Sequence, residues 1–482
     1  MNLDPETCYQ AILARDRRFD GNFFVGVSTT GIYCRTVCPA KTPRQDRCTF
    51  YATAAAAERA GYRPCLRCRP ELAPGRARID AIDRLAARAF GKIEDGVLDE
   101  RSLGDLAAEL GVSDRHLRRA VERSYGVSPV ELAQTQRLLT AKRLLTDTDL
   151  PVGEIAFASG FSSLRRFNAL FQERYRLAPA QLRKNRGRTS EKTTLICEIP
   201  YHEPFDWDWH LGFLAKRAIL GVEEVADGVY RRAIAIRDHV GLVEVRRVTE
   251  RRVLQAEIST SLAPVLPKVL AKIKLVFDVE TDPRPIVDRL GEVACENPGI
   301  RVPGAVDGFE IAVRGILGQQ VSVQGARTVA GRLVEKFGSQ LPAPAGAITH
   351  LFPSARTLAE ADPEDISILG MPRARGRTIN ALATAVADRS VDLRPGADVD
   401  LMISRMTSLP GVGEWTAQYV AMRAMAWPDA FPFADLGIRK ALGLTRDREV
   451  LAAAEAWRPW RAYAAMHLWH SLEKKHDPVH AN

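Results

Sequence analysis

Four cysteines fall in two close pairs, Cys34-Arg-Thr-Val-Cys38 and Cys65-Leu-Arg-Cys68, with 26 residues between the pairs. Two short loops of this kind can each present two sulfurs to one tetrahedral Zn2+, whose thiolates must be deprotonated to bind. Pro64 and Pro70 bracket the second pair and stiffen its turn. The competing reading is a set of buried structural thiols, which explains neither the pairing nor the shortness of the loops. Cys8 and Cys48 have no close partner and read as packing residues. A second chemical motif is Leu409-Pro410-Gly411-Val412-Gly413-Glu414-Trp415-Thr416-Ala417. A Pro-Gly-x-Gly turn opening a helix bares backbone N–H groups where no side chain blocks approach, which suits a phosphate at Gly411 and Gly413.

The elements that would carry these motifs can be read from periodicity. Leu103–Ser113 has the apolar spacing of a helix, a glycine at its turn and Ser113 as the next N-cap. Asp114–Ser124 then forms a helix whose outer face carries Arg115, Arg118 and Arg119. The arrangement recurs in Val152–Ser159, Gly160 and a helix from Ser163 to Tyr175 bearing Arg165 and Arg166. Pro129–Leu145 supplies a long connecting helix. Each second helix suits a major groove, its arginines divided between base edges and phosphates. A plain helical bundle with a basic surface is the alternative. Short β-type runs appear at Asn22–Ser28, Thr194–Ile199 and Val229–Ile236, and helical periodicity returns beyond residue 281, broken at Gly318, Pro372, Gly411 and Pro428.

Bulk properties agree with a protein of several domains. The 482 residues are too many for one ordinary core, and 46% hydrophobic with 26% charged residues predicts a soluble globular chain. No apolar run is long enough for a bilayer, and the N-terminus has no basic or apolar leader, so a cytoplasmic location without membrane contact is expected. The formal charge is +9 but uneven: residues 1–190 hold 32 Lys and Arg against 22 Asp and Glu, and the rest is nearly neutral. Arginine dominates that excess, which suits a polyanion, although a solvated basic surface would look the same. The boundaries read as 1–76, 77–187, 193–281 and 282–482, with the polar Lys184–Lys192 as a linker.

Several of these segments resemble known families. Thr29–Pro39 and Gly61–Pro70 resemble the N-terminal domain of the Ada family. That resemblance implies one zinc on Cys34, Cys38, Cys65 and Cys68, and a methyl group passed from a DNA methylphosphotriester to Cys34. The segment Ile155–Phe167 resembles the AraC-family DNA-binding unit, which implies promoter binding. Residues 193–475 resemble AlkA-type 3-methyladenine glycosylases through Trp207–Leu214, Val306–Val323, Leu369–Pro372 and Trp457–Trp469. Phe431-Pro-Phe-Ala-Asp435 resembles the Pro-Asp element of the helix-hairpin-helix superfamily, with a loosened spacing. The resemblance implies Asp435 as catalytic carboxylate and Trp415, Tyr419 and Trp469 as aromatic walls of a flipped-base pocket. A fixed carboxylate would stabilise the cationic sugar, and electron-poor alkylated bases would stack on the rings.

The implied fold is multidomain and mainly α with small α+β parts: a zinc domain, a double helix-turn-helix domain, an α+β domain and an all-α glycosylase domain. The implied activity is that of a monofunctional 3-methyladenine glycosylase of the second type, joined to a stoichiometric methyl acceptor and an activator. Its partners would be double-stranded DNA, alkylated or promoter, and RNA polymerase, with the protein a monomer. Trp415 stands where bifunctional relatives carry lysine, so Schiff-base chemistry is not expected. Gln320 stands at the apolar wedge position and is the candidate strand-plugging residue. No Pro-Cys-His-Arg nucleophile occurs, so reversal of O6-alkylguanine is not expected. Two other readings stand beside this one: a regulator whose glycosylase half only scans DNA, and a repair enzyme whose front half only tethers it.

Overall fold

The computed structural model describes residues 4–16, 19–73, 84–94, 96–148, 150–183 and 194–476. The expected linker and the boundary near residue 76 lie outside the described residues. Among those described, no helix is long and apolar enough to cross a membrane. The chain forms two compact units. One comprises Met1–His202, Val248–Ala271 and Val279–Thr281; the other comprises Glu203–Arg247, Lys272–Asp278 and Asp282–Asn482.

In the first unit, strands β1 (Phe24–Val27), β2 (Ile32–Cys34), β3 (Cys48–Tyr51) and β4 (Arg63–Pro64) form a sheet of order β3-β1-β2-β4. Gly31, at φ +62°, makes the turn from β1 into β2. The pairing of β2 with β4 is parallel, Ile32 opposite Arg63 and Tyr33 opposite Pro64. Parallel pairing puts the C-terminal ends of both strands at one edge of the sheet. Cys34 closes β2 and Cys65 follows β4, so the two cysteine loops leave the sheet side by side.

Helices fill the rest of that unit. Ser102 and Asp105 close a reciprocal capping box at the head of Leu103–Glu109. Gly111, at φ +72°, turns the chain, and Ser113 caps Asp114–Tyr125 by accepting from His116 N–H. Leu106, Leu117 and Val121 are fully buried between these helices. The connecting helix runs Pro129–Asp147 with proline in its first turn. The second pair, Val152–Ala158 and Leu164–Tyr175, repeats the device with Gly160 at φ +83° and Ser163 as cap. The strand Thr194–Pro200 lies antiparallel to Val253–Ser259.

In the second unit, Trp207–Arg217 precedes an antiparallel meander of Glu223–Ala226, Val229–Ile236 and His239–Val248. The remainder is helical around a core that includes Ile311, Ile316, Leu333, Ile379, Leu382 and Val420. The helical run expected beyond residue 282 is interrupted by one β-hairpin, Ser339–Ala345 with Ile348–Leu351. Pro342 and Pro344 bar a helix there, and Gly346, at φ +57°, makes the turn. Meander and helices are joined by a buried charge cluster. Arg232 donates to Glu310 at 2.7 Å and to Glu223 at 3.3 Å, and Arg314 pairs with both acids. The cluster fixes the helix Gly308–Leu317, which packs beside the glycine-turn helix Glu414–Arg423.

Candidate functional site

In the first unit the sulfurs of Cys34, Cys38, Cys65 and Cys68 all lie within 4.8 Å of one another. Thiolates bound tetrahedrally at about 2.3 Å from Zn2+ stand roughly 3.8 Å apart, so the cluster fits one ion with little movement. Backbone donors are shared unequally among the sulfurs. Arg35 N–H points at Cys68 Sγ and Arg67 N–H at Cys65 Sγ, each at 3.4 Å. Among the described residues, no backbone N–H is directed at the sulfur of Cys34. The Arg35 guanidinium grips Asp20 through two bonds and donates to the Cys68 carbonyl at 3.2 Å, which ties the two cysteine loops together. Cys8 is buried and Cys48 packs against the same small core.

On the helix-turn-helix pairs, Arg115, Arg118, Arg119, Arg165 and Arg166 are all exposed. Arg118 also pairs with Asp114 one turn back at 2.8 Å, so it is partly held in place before any partner arrives. Leu117 and Phe167 occupy the opposite, buried faces of the two helices.

In the second unit, Gly411 takes φ +80° between the helices Val399–Thr407 and Glu414–Arg423. Gly413 caps the latter without a side chain, which leaves its first-turn N–H groups to an outside acceptor. Gln320 is exposed, at φ +55°. Its neighbour Gln319 donates to Gly411 O at 3.0 Å and Thr416 Oγ1 at 2.9 Å, and Arg375 holds the Gln319 carbonyl at 2.6 Å. The Gln320 loop is thereby pinned to the glycine turn.

Asp435 follows a tight turn, Asp435 N–H to Pro432 O, and that turn is anchored to the glycine-turn helix Glu414–Arg423 by Phe431 N–H to Gln418 Oε1 at 3.0 Å. Asp435 caps the helix Leu436–Leu442, its Oδ1 accepting from Ile438 N–H at 3.0 Å. It does more than cap. Trp415 Nε1 donates to Oδ2 at 2.8 Å, and Trp469 Nε1 to Oδ1 at 2.9 Å. The Trp415 ring stacks on Tyr419, with centroids 5.4 Å apart and planes 11° from parallel, and Trp469 stands 6.5 Å from Tyr419 at 51°. The four residues expected to act together are therefore one constellation. Burial pushes the Tyr419 phenol up, but Arg423, Arg217 and Arg314 outweigh it and hold it below its ordinary value. Arg423 donates to the Tyr419 hydroxyl at 2.7 Å.

Sequence reasoning missed Arg35, Asp20, Gln319 and Gly437. A Cβ built on Gly437 would stand 2.9 Å from Asp435 Oδ1 and 3.2 Å from Trp469 Cδ1. Nothing in the local sequence separates this glycine from an ordinary helix residue, because the ring it must admit lies 32 positions away.

Family models match the chain in four successive stretches: the metal binding domain of Ada at residues 7–71, a helix-turn-helix domain at 106–185, the AlkA N-terminal domain at 196–307, and the HhH-GPD superfamily of base excision DNA repair proteins at 313–459. A probable bifunctional transcriptional activator/DNA repair enzyme AlkA of Mycobacterium tuberculosis is 41% identical over 98% of this chain and 97% of its own length. DNA-3-methyladenine glycosylase 2 of Escherichia coli is 36% identical, covering 57% of this chain and 96% of that protein. The bifunctional transcriptional activator/DNA repair enzyme Ada of the same organism is 37% identical over 30% of this chain and 38% of that protein. The metal site of the first unit is a zinc site, and the chain belongs to the family of bifunctional transcriptional activator/DNA repair proteins in which an Ada-type metal domain and a helix-turn-helix unit precede an AlkA-type glycosylase.

Proposed function

We propose that this protein senses and repairs alkylated DNA: its second unit hydrolytically excises alkylated purines of the 3-methyladenine type, and its first unit takes methyl groups from DNA methylphosphotriesters and regulates promoters. The observation that carries the reading is the Asp435 carboxylate held among Trp415, Tyr419 and Trp469 beside an open glycine turn. Gly411 and Gly413 seat a backbone phosphate, and the loop of Gln320 fills the space left by an everted base. The rings stack on that base, whose alkylation has already weakened its glycosidic bond. As the bond breaks, positive charge grows on the sugar and Asp435 stabilises it, a water completing the hydrolysis. Trp415 cannot form an imine, so the chemistry ends at the abasic site.

In the first unit, bound zinc keeps the four sulfurs as thiolates at neutral pH. The Cys34 sulfur attacks the methyl carbon, the carbon–oxygen bond breaks, and the phosphodiester leaves as an anion. Methylation removes one negative charge from the site, which then tolerates ordinary phosphates better. The five helix-turn-helix arginines bind promoter DNA, RNA polymerase is the partner an activator requires, and the monomer is the working form. The four spans 1–76, 77–187, 193–281 and 282–482 serve as the domains, and cytoplasm is where they meet DNA. Asp435→Asn tests the enzymatic reading. Release of free 3-methyladenine from methylated duplex DNA should fall at least about 100-fold while the variant melts normally. Near-normal release by folded D435N would refute it and favour a half that only scans DNA.

A further inference from the structure

We propose that Trp415 and Trp469 are positioning residues for Asp435 as well as stacking surfaces, and that Gly437 is the gap that lets the second indole reach it. The proposal rests on Asp435 being the carboxylate that meets the sugar. Capping a helix needs one bond from the carboxylate, and Ile438 N–H already supplies it. The two indole bonds are additional. They come from two other helices, Glu414–Arg423 and Arg461–His476, and they take one oxygen each.

The choice of donor matters. An indole N–H only donates, so it fixes an acceptor oxygen, and it carries no charge. A lysine or arginine in its place would cancel the carboxylate charge that must attract the sugar cation. Arg439, one turn along from Asp435, is instead turned to Asp447. Asp435 is thus immobilised without being neutralised, as a group that stabilises a developing cation should be.

The same rings carry two duties. Their edges hold the carboxylate, and the Trp415 ring, near-parallel to Tyr419, is part of the aromatic wall. A base seated on the rings therefore lies at fixed register to the acid. Gly437 keeps this geometry open, since a built Cβ would stand 2.9 Å from the Asp435 oxygen and 3.4 Å from Trp469 Nε1.

Trp→Phe keeps an aromatic face and deletes the N–H. For W469F and W415F in the full chain, single-turnover release of 3-methyladenine at saturating enzyme should fall about 10-fold or more. The enzyme concentration giving half-maximal rate, and the affinity for duplex DNA carrying a tetrahydrofuran abasic-site analogue, should change less than about 3-fold. G437A should lose rate in the same way by pressing on both partners. In the D435N background, W469F should cause no further loss of the residual rate, as expected for a group acting through the acid. Unchanged rates in W469F and W415F, a loss confined to half-saturation, or an equal loss in the D435N background would overturn the proposal. Should either indole variant fail to fold, the other and G437A decide it. A fully active D435N would instead show that the assignment of Asp435 itself is wrong.

Discussion

Under the proposed methyl transfer, the four neighbouring sulfurs should differ in reactivity according to what each already shares. A thiolate that accepts an N–H bond has part of its charge drawn away, and a charge-bearing acceptor gains more from such a bond than a neutral one. Cys68 accepts from Arg35 and Cys65 from Arg67. Cys34, at the end of β2, receives no backbone N–H among the described residues, as the proposed methyl acceptor should. We therefore expect Cys34→Ser to abolish stoichiometric labelling by DNA bearing radioactive methylphosphotriesters, and Cys38→Ser, if it holds zinc, to retain it. Labelling of folded C34S at the wild-type level would exclude this assignment. The metal-ligand set was legible in the C-x3-C and C-x2-C spacing alone. The inequality among the sulfurs was not, because its donors are backbone groups placed by folding. The wider role of Cys34 came from resemblance.

Elements were legible wherever a local rule fixed them. Ser113 caps its helix as its position suggested, Ser102, Ser128 and Ser163 do the same for theirs, and Gly111 and Gly160 both turn in the left-handed region. The hairpin at residues 339–351 was hidden, because two prolines and scattered small residues carry no period of two. The glycine turn shows how one motif contains two different demands. At Gly411 the backbone itself requires glycine: φ is +80° and a Cβ would press to 2.2 Å from Thr378 Oγ1. At Gly413 a Cβ would meet nothing within 4 Å. Gly411→Ala should therefore destabilise the second unit by about 2 kcal/mol in denaturant unfolding. Gly413→Ala should cost under about 1 kcal/mol, yet both should weaken binding to unmodified duplex DNA. Full duplex affinity in G413A would mean that this helix start does not seat the backbone.

At the scale of each unit, buried charge does the joining that a hydrophobic pattern cannot reveal. In the first unit Tyr33, beside Cys34, donates to Glu58 at 3.0 Å, and Thr135 of the connecting helix donates to the same carboxyl at 3.0 Å. Burial pushes that acid up to about 7, against the hydrogen bonds and the nearby cations. Just past Cys68, Arg69 reaches Asp147 and Thr146, each at 2.8 Å, while Glu71 pairs with Lys142. The side chains of Glu71 and Lys142 are only 2% and 1% exposed. The partners lie 71 positions apart on segments that read as separate domains, so neither periodicity nor motif pointed to them. Removing Lys142 leaves the buried Glu71 with Arg69, 2.9 Å away, as its remaining partner, which should cost about 2 kcal/mol, whereas replacing both by apolar groups need not. Lys142→Met should lower the unfolding free energy of the first unit by that much, read as an earlier denaturant midpoint. It should also loosen the cysteine loops enough to speed zinc loss to a chelator, because Glu71 is three residues from Cys68. Glu71→Leu added to K142M should recover much of the stability, and 3-methyladenine release should stay at the wild-type rate throughout. A midpoint unmoved by K142M would show that the zinc loop and the connecting helix fold independently.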